Sequence, residues 1–292
     1  MTGPTAFVLG GGGVLGAGEV GMLRALLEAG IRPDLVLGTS VGALNGAFLA
    51  ADPTVEATVR LAALWDDLAG RGGVFTGSLV ARAATMARTG THLHRRGPLR
   101  SLLAEHLPVE RIEDLAVPFQ CVAASIERAA EHWFTEGPLS DAVLASCAVP
   151  GLLAPVRVGD EHFLDGGLVN SIPVSRSVEL GATTVFVLQV GRVERPLSPP
   201  RLPWEVGLVA FEIARRHRFA ADMARLPDDV TVHVLPTGDV VPEGLAQLRY
   251  RDARRTAERV ERAYEASREY LDRLAEVSAA FRPGDPRTGD SS

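Results

Sequence analysis

The pentapeptide Gly38-Thr39-Ser40-Val41-Gly42 has the form Gly-x-Ser-x-Gly, which places a serine hydroxyl between two glycines. Residues 34–37 before it are apolar enough to predict a strand, and the small and apolar residues 43–51 after it predict a helix. This order is typical of a nucleophile elbow, in which a strained turn holds the serine at a helix N-terminus. The positive end of the helix dipole favours the negative charge that develops there. A serine that caps a helix between chance glycines is the alternative interpretation.

A glycine-rich segment, Gly10–Gly16, lies between a predicted strand at residues 6–9 and a predicted helix at residues 18–29. From Gly11 it spells G-x-G-x-x-G, the dinucleotide-binding fingerprint, which predicts a nucleotide-binding oxidoreductase. Consecutive glycines can also direct bare N–H groups at one oxygen atom and stabilise an oxyanion. A dinucleotide site needs an acidic residue at the end of the second strand, whereas Asp34 lies at the start of that strand. Pairing with the elbow therefore favours the oxyanion interpretation.

A serine nucleophile needs a base, and the sequence offers several candidates. His217 lies in a predicted helix beside arginines, and His233 lies in a predicted late strand. Neither position favours a catalytic base, but either histidine could serve in a triad. Asp165 ends an apolar strand just before Gly166-Gly167, where a turn would leave its carboxylate exposed. A pocket that raised its pKa would let this carboxylate take the serine proton directly. A plain Asp–Gly turn is the alternative.

The elements that must position these residues alternate between strand and helix, which predicts an α/β fold with a helix-covered sheet. Further strands are predicted at residues 119–124, 131–135, 156–158, 162–164, 184–190 and 230–235. Further helices are predicted after Pro53 to residue 68, from a capped start at Ser140, from Pro173, at residues 204–224 and at residues 243–281. Residues 70–110 are predicted to be irregular, with a weak helix near residues 79–88.

Composition limits the classes of function. The chain has 292 residues, 46% of them hydrophobic and 23% charged, and a net charge of −6, which does not suggest a nucleic-acid partner. All 30 basic residues are arginines, which excludes a catalytic lysine. Cys121 and Cys147 have no metal-ligand spacing, so we expect two buried free thiols in a reducing compartment and no metal site.

No segment has the pattern of a signal peptide or of a bilayer-spanning helix. We therefore expect a cytoplasmic protein whose contact with membranes, if it has one, is peripheral. The apolar stretch at residues 204–211 is a candidate opening for lipid, although a packed helix is the favoured interpretation.

The three motifs together resemble the patatin-like phospholipase family, whose signature is a glycine-rich oxyanion loop, a G-x-S-x-G elbow and a D-G-G/A motif in that order. Here they are residues 11–16, 38–42 and 165–167. The segment at residues 145–151 also resembles the bacterial members, and the resemblance extends from residue 5 to about residue 190.

The resemblance implies a three-layer α/β/α sandwich around a mostly parallel sheet. It implies a serine acyl hydrolase of the lipase or phospholipase A type that acts on lipid esters without a cofactor. Ser40 would be the nucleophile and Asp165 its partner in a dyad without histidine. The oxyanion-binding residues would be Gly11, Gly12 and Gly13, and the motif-supporting residues would be Gly16, Gly38, Gly42, Gly166 and Gly167.

One departure concerns Leu15, which stands where many members of the family carry Arg or Lys. The missing charge would weaken the oxyanion site or alter the preference for charged head groups.

A non-catalytic lipid-binding protein on the same fold is the alternative to a serine acyl hydrolase. We expect one domain over residues 1–281, with a core at 5–190, a helical part at 204–281 and a disordered tail at 282–292.

Overall fold

The structure, a computed structural model, describes residues 3–70, 97–107, 109–190, 196–201, 203–238 and 254–280. The strands are β1 Thr5–Leu9, β2 Leu35–Thr39, β3 Phe119–Ser125, β4 Ala130–Phe134, β5 Val156–Val158, β6 Glu161–Asp165, β7 Thr184–Leu188 and β8 Thr231–Val234. The α-helices are α1 Ala17–Glu28, α2 Val41–Ala51, α3 Val55–Gly70, α4 Gly97–His106, α5 Leu139–Ser146, α6 Val174–Glu179, α7 Pro203–Met223 and α8 Arg254–Ala280.

The strands form one sheet in the order β5-β6-β3-β2-β1-β7-β8, with β4 paired to β3 outside that path. The five strands β3, β2, β1, β7 and β8 run parallel, and β4, β5 and β6 join as antiparallel neighbours. β1 and β2 are apolar and buried along nearly their whole length, as expected for central parallel strands covered on both faces. The carboxyl ends of β1 and β2 therefore lie side by side at one edge of the sheet.

The pairing of β3 brings a third strand end to the same place. β4 pairs with β3 over residues 121–125, so it occupies one edge of β3. Both β2 and β6 then pair with the other edge: Thr39 of β2 is opposite Val122, and Asp165 of β6 is opposite Ala123. Because β6 is antiparallel to β2, the two strands meet head to head along that edge. The last residues of both strands are thus neighbours in space.

Alternate side chains of the central strands enter two separate apolar clusters, one on each face of the sheet. Phe7 and Leu9 of β1 belong to the larger cluster, which α1, α2, α3, α5 and α8 cover. Ala6 and Val8 belong to the smaller cluster, which α6 and Phe219 of α7 cover. The prediction of a three-layer α/β/α fold with a mostly parallel sheet is confirmed.

Two local predictions were wrong. Residues 97–106, within a segment predicted to be irregular, form α4, because Leu99 and Leu103 lie on one helical face and are buried in the larger cluster. Ser140 does not cap α5: the helix begins at Leu139 after Pro138, and no side chain caps it. The predicted weak helix near 79–88, the first residues of the helix predicted at 243–281 and the tail at 282–292 lie outside the described residues.

The C-terminal helix α8 packs on α1. A Cβ atom on Gly21 of α1 would lie 2.0 Å from the carbonyl oxygen of Val260, so the two backbones approach closely. Among the helices in the described ranges, none is long and apolar enough to cross a bilayer. The assignment of residues 1–281 to a single domain stays a prediction.

Candidate active site

Ser40 stands at the turn between β2 and α2 in a backbone conformation that L-residues rarely adopt. Its φ is 55° and its ψ is −124°. Among the described residues, Ser40 and Ala129 are the two non-glycine residues with positive φ. Such a conformation costs about 1–3 kcal/mol and persists only where its surroundings enforce it. The strained turn expected of a nucleophile elbow is therefore present at this serine.

Two side chains at the C-terminal end of α5, those of Ser146 and Cys147, hydrogen-bond to the backbone of Ser40. The hydroxyl of Ser146 accepts the N–H of Ser40 at 2.8 Å and donates to the carbonyl of Val122 at 2.7 Å. The thiol of Cys147 donates to the carbonyl of Ser40 at 3.0 Å. The buried backbone N–H and carbonyl of Ser40 thus both have hydrogen-bond partners. Sequence reasoning noted the segment around Ser146 and Cys147 as a likeness but assigned these two side chains no role.

The glycines on either side of the Ser40 turn allow helix α2 to lie against the strand ends. A Cβ atom on Gly42 would lie 2.3 Å from the carbonyl oxygen of Leu9, and one on Gly38 would lie 2.5 Å from the Cα of Ala43. Neither backbone neighbour can move aside as a flexible side chain could. These two positions therefore require glycine for close packing.

Asp165 meets Ser40 where β6 and β2 converge. The Ser40 hydroxyl donates to Oδ2 of Asp165 at 2.6 Å, and the N–H of Gly167 donates to Oδ1 at 2.7 Å. The relative exposure of Asp165 is 1% and that of Ser40 is 7%. A Cβ atom on Gly166 would lie 2.2 Å from the carbonyl oxygen of Val122, so this glycine lets the turn after Asp165 sit directly on β3.

Burial raises the pKa of the Asp165 carboxyl from 3.8 to about 6, against the opposing effect of hydrogen bonds from Ser40 and Gly167. Loss of hydration disfavours the charged form, whereas both hydrogen bonds favour it. At neutral pH the group is still ionised, but it is a stronger base than an exposed aspartate. The pair thus combines a hydroxyl donor with a carboxylate suited to accept its proton.

The glycine loop lies beside Ser40: a Cβ atom on Gly11 would lie 3.4 Å from the Cβ of Ser40. The N–H of Gly10 donates to the carbonyl of Leu188 at 2.8 Å, and the N–H of Gly11 donates to the carbonyl of Ser171 at 3.0 Å. Of the three predicted oxyanion donors, Gly11 is thus already engaged. The N–H groups of Gly12 and Gly13 have no acceptor among the residues described.

Three further positions complete the comparison with the sequence motifs. A Cβ atom on Gly16 would lie 2.6 Å from the side chain of Val41, so the loop packs against the residue after the nucleophile. Leu15 is half-buried against the larger apolar cluster and brings no charge to the loop. The Asp34 carboxylate accepts the N–H of Thr5 at 2.8 Å, at the end of β2 remote from the elbow.

Neither histidine considered as a base lies in the site. His233 stacks on Phe186 with ring centroids 4.9 Å apart, and its Nδ1 is 3.1 Å from the hydroxyl of Tyr270. His217 is exposed on α7. Both predicted free thiols are buried. Within the described ranges no group of three or more His, Cys, Asp or Glu side chains could hold a metal ion.

Comparison with known proteins gives the same assignment as the motifs. The model of the patatin-like phospholipase family matches residues 7–176. Lysophospholipase nte1 of Aspergillus terreus is 33% identical over 188 residues, which are 64% of this chain and 12% of that protein. Patatin-like phospholipase domain-containing protein 7 of Rattus norvegicus is 32% identical over 189 residues, which are 64% of this chain and 13% of that protein. The chain therefore matches only about an eighth of these relatives' length.

Two solved structures are also similar. VipD from Legionella pneumophila has a TM-score of 0.43 at 15% identity, with 92% of this chain and 67% of that chain covered. ExoU, in its complex with SpcU from Pseudomonas aeruginosa, has a TM-score of 0.36 at 17% identity, with 94% of this chain and 52% of that chain covered. The match to the family model extends over more than half of the chain and includes all three motifs. This chain belongs to the patatin-like phospholipase family.

Proposed function

We propose that the protein is a serine acyl hydrolase that cleaves acyl esters of lipids by a Ser40–Asp165 dyad. The observation that carries the proposal is the buried 2.6 Å hydrogen bond from the hydroxyl of Ser40 to Asp165, made on a strained elbow. The contact of the glycine loop with Ser40 supports the proposal further, because acyl transfer needs a nucleophile, a base and donors for the oxyanion.

In the proposed reaction, Oγ of Ser40 attacks the ester carbonyl carbon while its proton passes to Oδ2 of Asp165. The N–H groups of Gly12 and Gly13 stabilise the resulting oxyanion. When the intermediate collapses, the carbon–oxygen bond to the alcohol breaks and that alcohol takes the proton from Asp165. Water then gives a proton to Asp165 and attacks the acyl-enzyme, and the fatty acid leaves as Ser40 recovers its proton.

The family and its relatives support a class of substrate. Two of the similar proteins are named lysophospholipase or phospholipase domain-containing protein, which favours a phospholipid or lysophospholipid ester. We propose that the protein takes such substrates from a membrane or micelle surface by peripheral contact. Chain length and head group are then properties to be measured with a panel of defined lipids.

The test uses release of p-nitrophenol from acyl esters, release of fatty acid from lysophosphatidylcholine, and labelling by a fluorophosphonate probe. Ser40→Ala is expected to lower both rates by several orders of magnitude and to abolish labelling, since the nucleophile is removed. Ser140→Ala, at the far end of α5 from the site, is the matched control and should keep both hydrolysis rates and the labelling. Unchanged turnover in Ser40→Ala would remove Ser40 from the mechanism. A folded wild-type protein without turnover or labelling would favour a non-catalytic lipid-binding role.

A further inference from the structure

Arg215 of α7 is a buried cation beside the proposed active site, with a relative exposure of 5%. Its Nε donates to the hydroxyl of Ser171 at 2.9 Å, and its Nη1 donates to Glu212 at 3.1 Å. Its Nη2 is buried and has no hydrogen-bond partner in the part of the chain that the structure describes. A guanidinium group is rarely buried with a donor unused, because desolvation of that donor is unfavourable.

Ser171 connects this arginine to the glycine loop. While its hydroxyl accepts from Arg215, its carbonyl accepts the N–H of Gly11 at 3.0 Å. The hydroxyl oxygen would lie 3.2 Å from a Cβ atom on Gly11, and the Cβ of Ser40 would lie 3.4 Å from that same atom. Arg215, Ser171, the loop and the nucleophile are thus in continuous contact.

Four buried side-chain polar atoms of the described residues have no hydrogen-bond partner, and three of them belong to residues linked to this loop, namely Glu19, Gln189 and Arg215. The four atoms are Oε1 of Glu19, Oδ1 of Asn170, Oε1 of Gln189 and Nη2 of Arg215. Asn170 precedes Ser171 in the chain, and the Cβ of Gln189 is 3.6 Å from a Cβ atom built on Gly10. Glu19 is tied to the loop through the Asn45 amide group, which donates to Glu19 at 2.7 Å and to the carbonyl of Gly16 at 2.9 Å. Such clustering of unsatisfied atoms is typical of a functional site.

The charge of Arg215 is only partly neutralised by its neighbours. Glu212 divides its carboxylate between Arg215 and Arg216, at 3.1 Å from each. Burial raises the pKa of Glu19 well above its usual range, which disfavours a compensating negative charge there, although Arg215 itself opposes that rise. The pKa of Asp165 is set by its burial and by its hydrogen bonds with Ser40 and Gly167, and Arg215 makes no comparable contribution. The cation is connected to the glycine loop through Ser171, which accepts from Arg215 and from Gly11.

We propose that Arg215 is a positioning residue for the hydrolysis: through Ser171 it holds the glycine loop against Ser40, and its buried charge stabilises the oxyanion formed at that loop. This inference rests on the proposed function. When the serine proton reaches Asp165, negative charge leaves the carboxylate and appears on the substrate oxygen beside Gly12 and Gly13. Because Arg215 is linked through Ser171 to the loop that would hold this oxygen, its charge is expected to stabilise that intermediate more than the ground state, which raises kcat.

The test compares Arg215→Met, Arg215→Lys and Ser171→Ala with a control, Arg218→Met. Arg218 lies on the same helix, but it pairs with Asp222 at 3.1 Å. For each variant we would measure kcat and KM with p-nitrophenyl butyrate, the rate of fluorophosphonate labelling, the pH profile and the melting temperature. Since one oxyanion interaction is worth about 100-fold or more, Arg215→Met, which loses an indirect one, is expected to lower kcat and the labelling rate by about 10- to 100-fold.

A positioning role predicts a specific pattern across these measurements. KM should stay within about threefold of wild type and the pH midpoint should not move, because substrate binding and the Asp165 carboxyl are untouched. Arg215→Lys keeps the charge without the fork of donors, so it should recover part of the lost kcat. Ser171→Ala should also lower kcat, since the loop loses its link to the cation. Arg218→Met should stay within about twofold of wild type.

The inference is overturned if Arg215→Met retains kcat within about twofold of wild type, or if activity falls only as the folded fraction falls. An equal loss in Arg218→Met also overturns it. Should Arg215→Met fail to fold, Ser171→Ala and Arg215→Lys decide, and unchanged kcat in both refutes the role. Absence of turnover and labelling in the wild type would instead refute the proposed function itself, so the two failures are distinguishable.

Discussion

Replacing Asp165 by Asn should make the protein more stable while it abolishes most of the activity. The side chain keeps its size and its acceptor for the N–H of Gly167, but it loses the buried negative charge. General-base catalysis typically contributes about 10²–10⁴-fold, so we expect kcat to fall by that factor. Opposite signs for stability and activity are the signature of a group held in an unfavourable state for its chemistry.

The expected size of the stability gain follows from the pKa of Asp165. Burial raises that pKa from 3.8 in the unfolded chain to about 6 in the folded protein. The folded state then binds the proton more tightly, so the stability contributed by this group is complete below pH 4 and is lost as pH rises to about 6. Roughly two pKa units at about 1.4 kcal/mol each give a destabilisation of about 3 kcal/mol at neutral pH. Asn does not ionise and escapes this penalty.

The assay is urea unfolding of wild type and Asp165→Asn at several pH values between 4 and 8. The advantage of the variant should be small near pH 4 and should grow to about 3 kcal/mol above pH 7. Asp160→Asn, which changes a fully exposed carboxylate on the β5–β6 turn, is the control and should show no comparable trend. A stability difference that does not vary with pH would refute the reasoning, because burial of the charge would then not be the cause.

Three further predictions concern the same site. The kcat/KM of the wild type should rise with pH to a plateau whose midpoint is near the Asp165 pKa of about 6, since the ionised form is the base; an active enzyme at pH 4 would contradict this in a pH–rate assay. Gly42→Ala should lower the free energy of unfolding by several kcal/mol or prevent folding, because its Cβ would lie 2.3 Å from a backbone oxygen. The control, Gly207→Ala in α7, meets nothing within 4 Å and should leave the melting temperature unchanged or raise it in thermal unfolding. Ser146→Ala should lower stability by about 1–3 kcal/mol, and lower kcat, because the N–H of the nucleophile loses its acceptor; equal kcat and melting temperature would contradict the support assigned to this hydroxyl.

Much of the fold was predictable from local pattern. The alternation of strands and helices, the hairpin of β5 and β6 and the elbow at residues 38–42 all arise from short-range signals, namely apolar runs, glycines and turn residues. Helix α4 was missed because its two core leucines stand in a segment that also carries glycines, histidines and arginines, so the apolar face was obscured. The cap expected at Ser140 was wrong because Pro138 occupies the N-cap position and the helix already begins at Leu139, so Ser140 lies inside its first turn.

Local pattern also selected the residues proposed as nucleophile, acid and oxyanion loop, because each proposed role needs a particular residue type with glycine beside it. It could not bring Ser40 and Asp165 together. Their contact arises because β2 and β6 share one edge of β3 and meet head to head, which is a matter of strand pairing across 125 residues of sequence. Strand order depends on packing of the whole sheet, and no short segment encodes it.

The residues around the nucleophile show the same division. Ser146 and Cys147 support the strained turn, Ser171 engages Gly11, and Arg215 approaches from a helix that follows the matched region of the family. Each is an ordinary residue in its own segment, since a hydroxyl, a thiol or an arginine acquires a role only from the atoms that surround it. The amino-acid sequence thus determined which groups are available for the proposed acyl transfer. The tertiary structure alone decided which of them are buried, which N–H groups remain available and where a cation lies, because burial and hydrogen bonding are properties of contacts between segments distant in the chain.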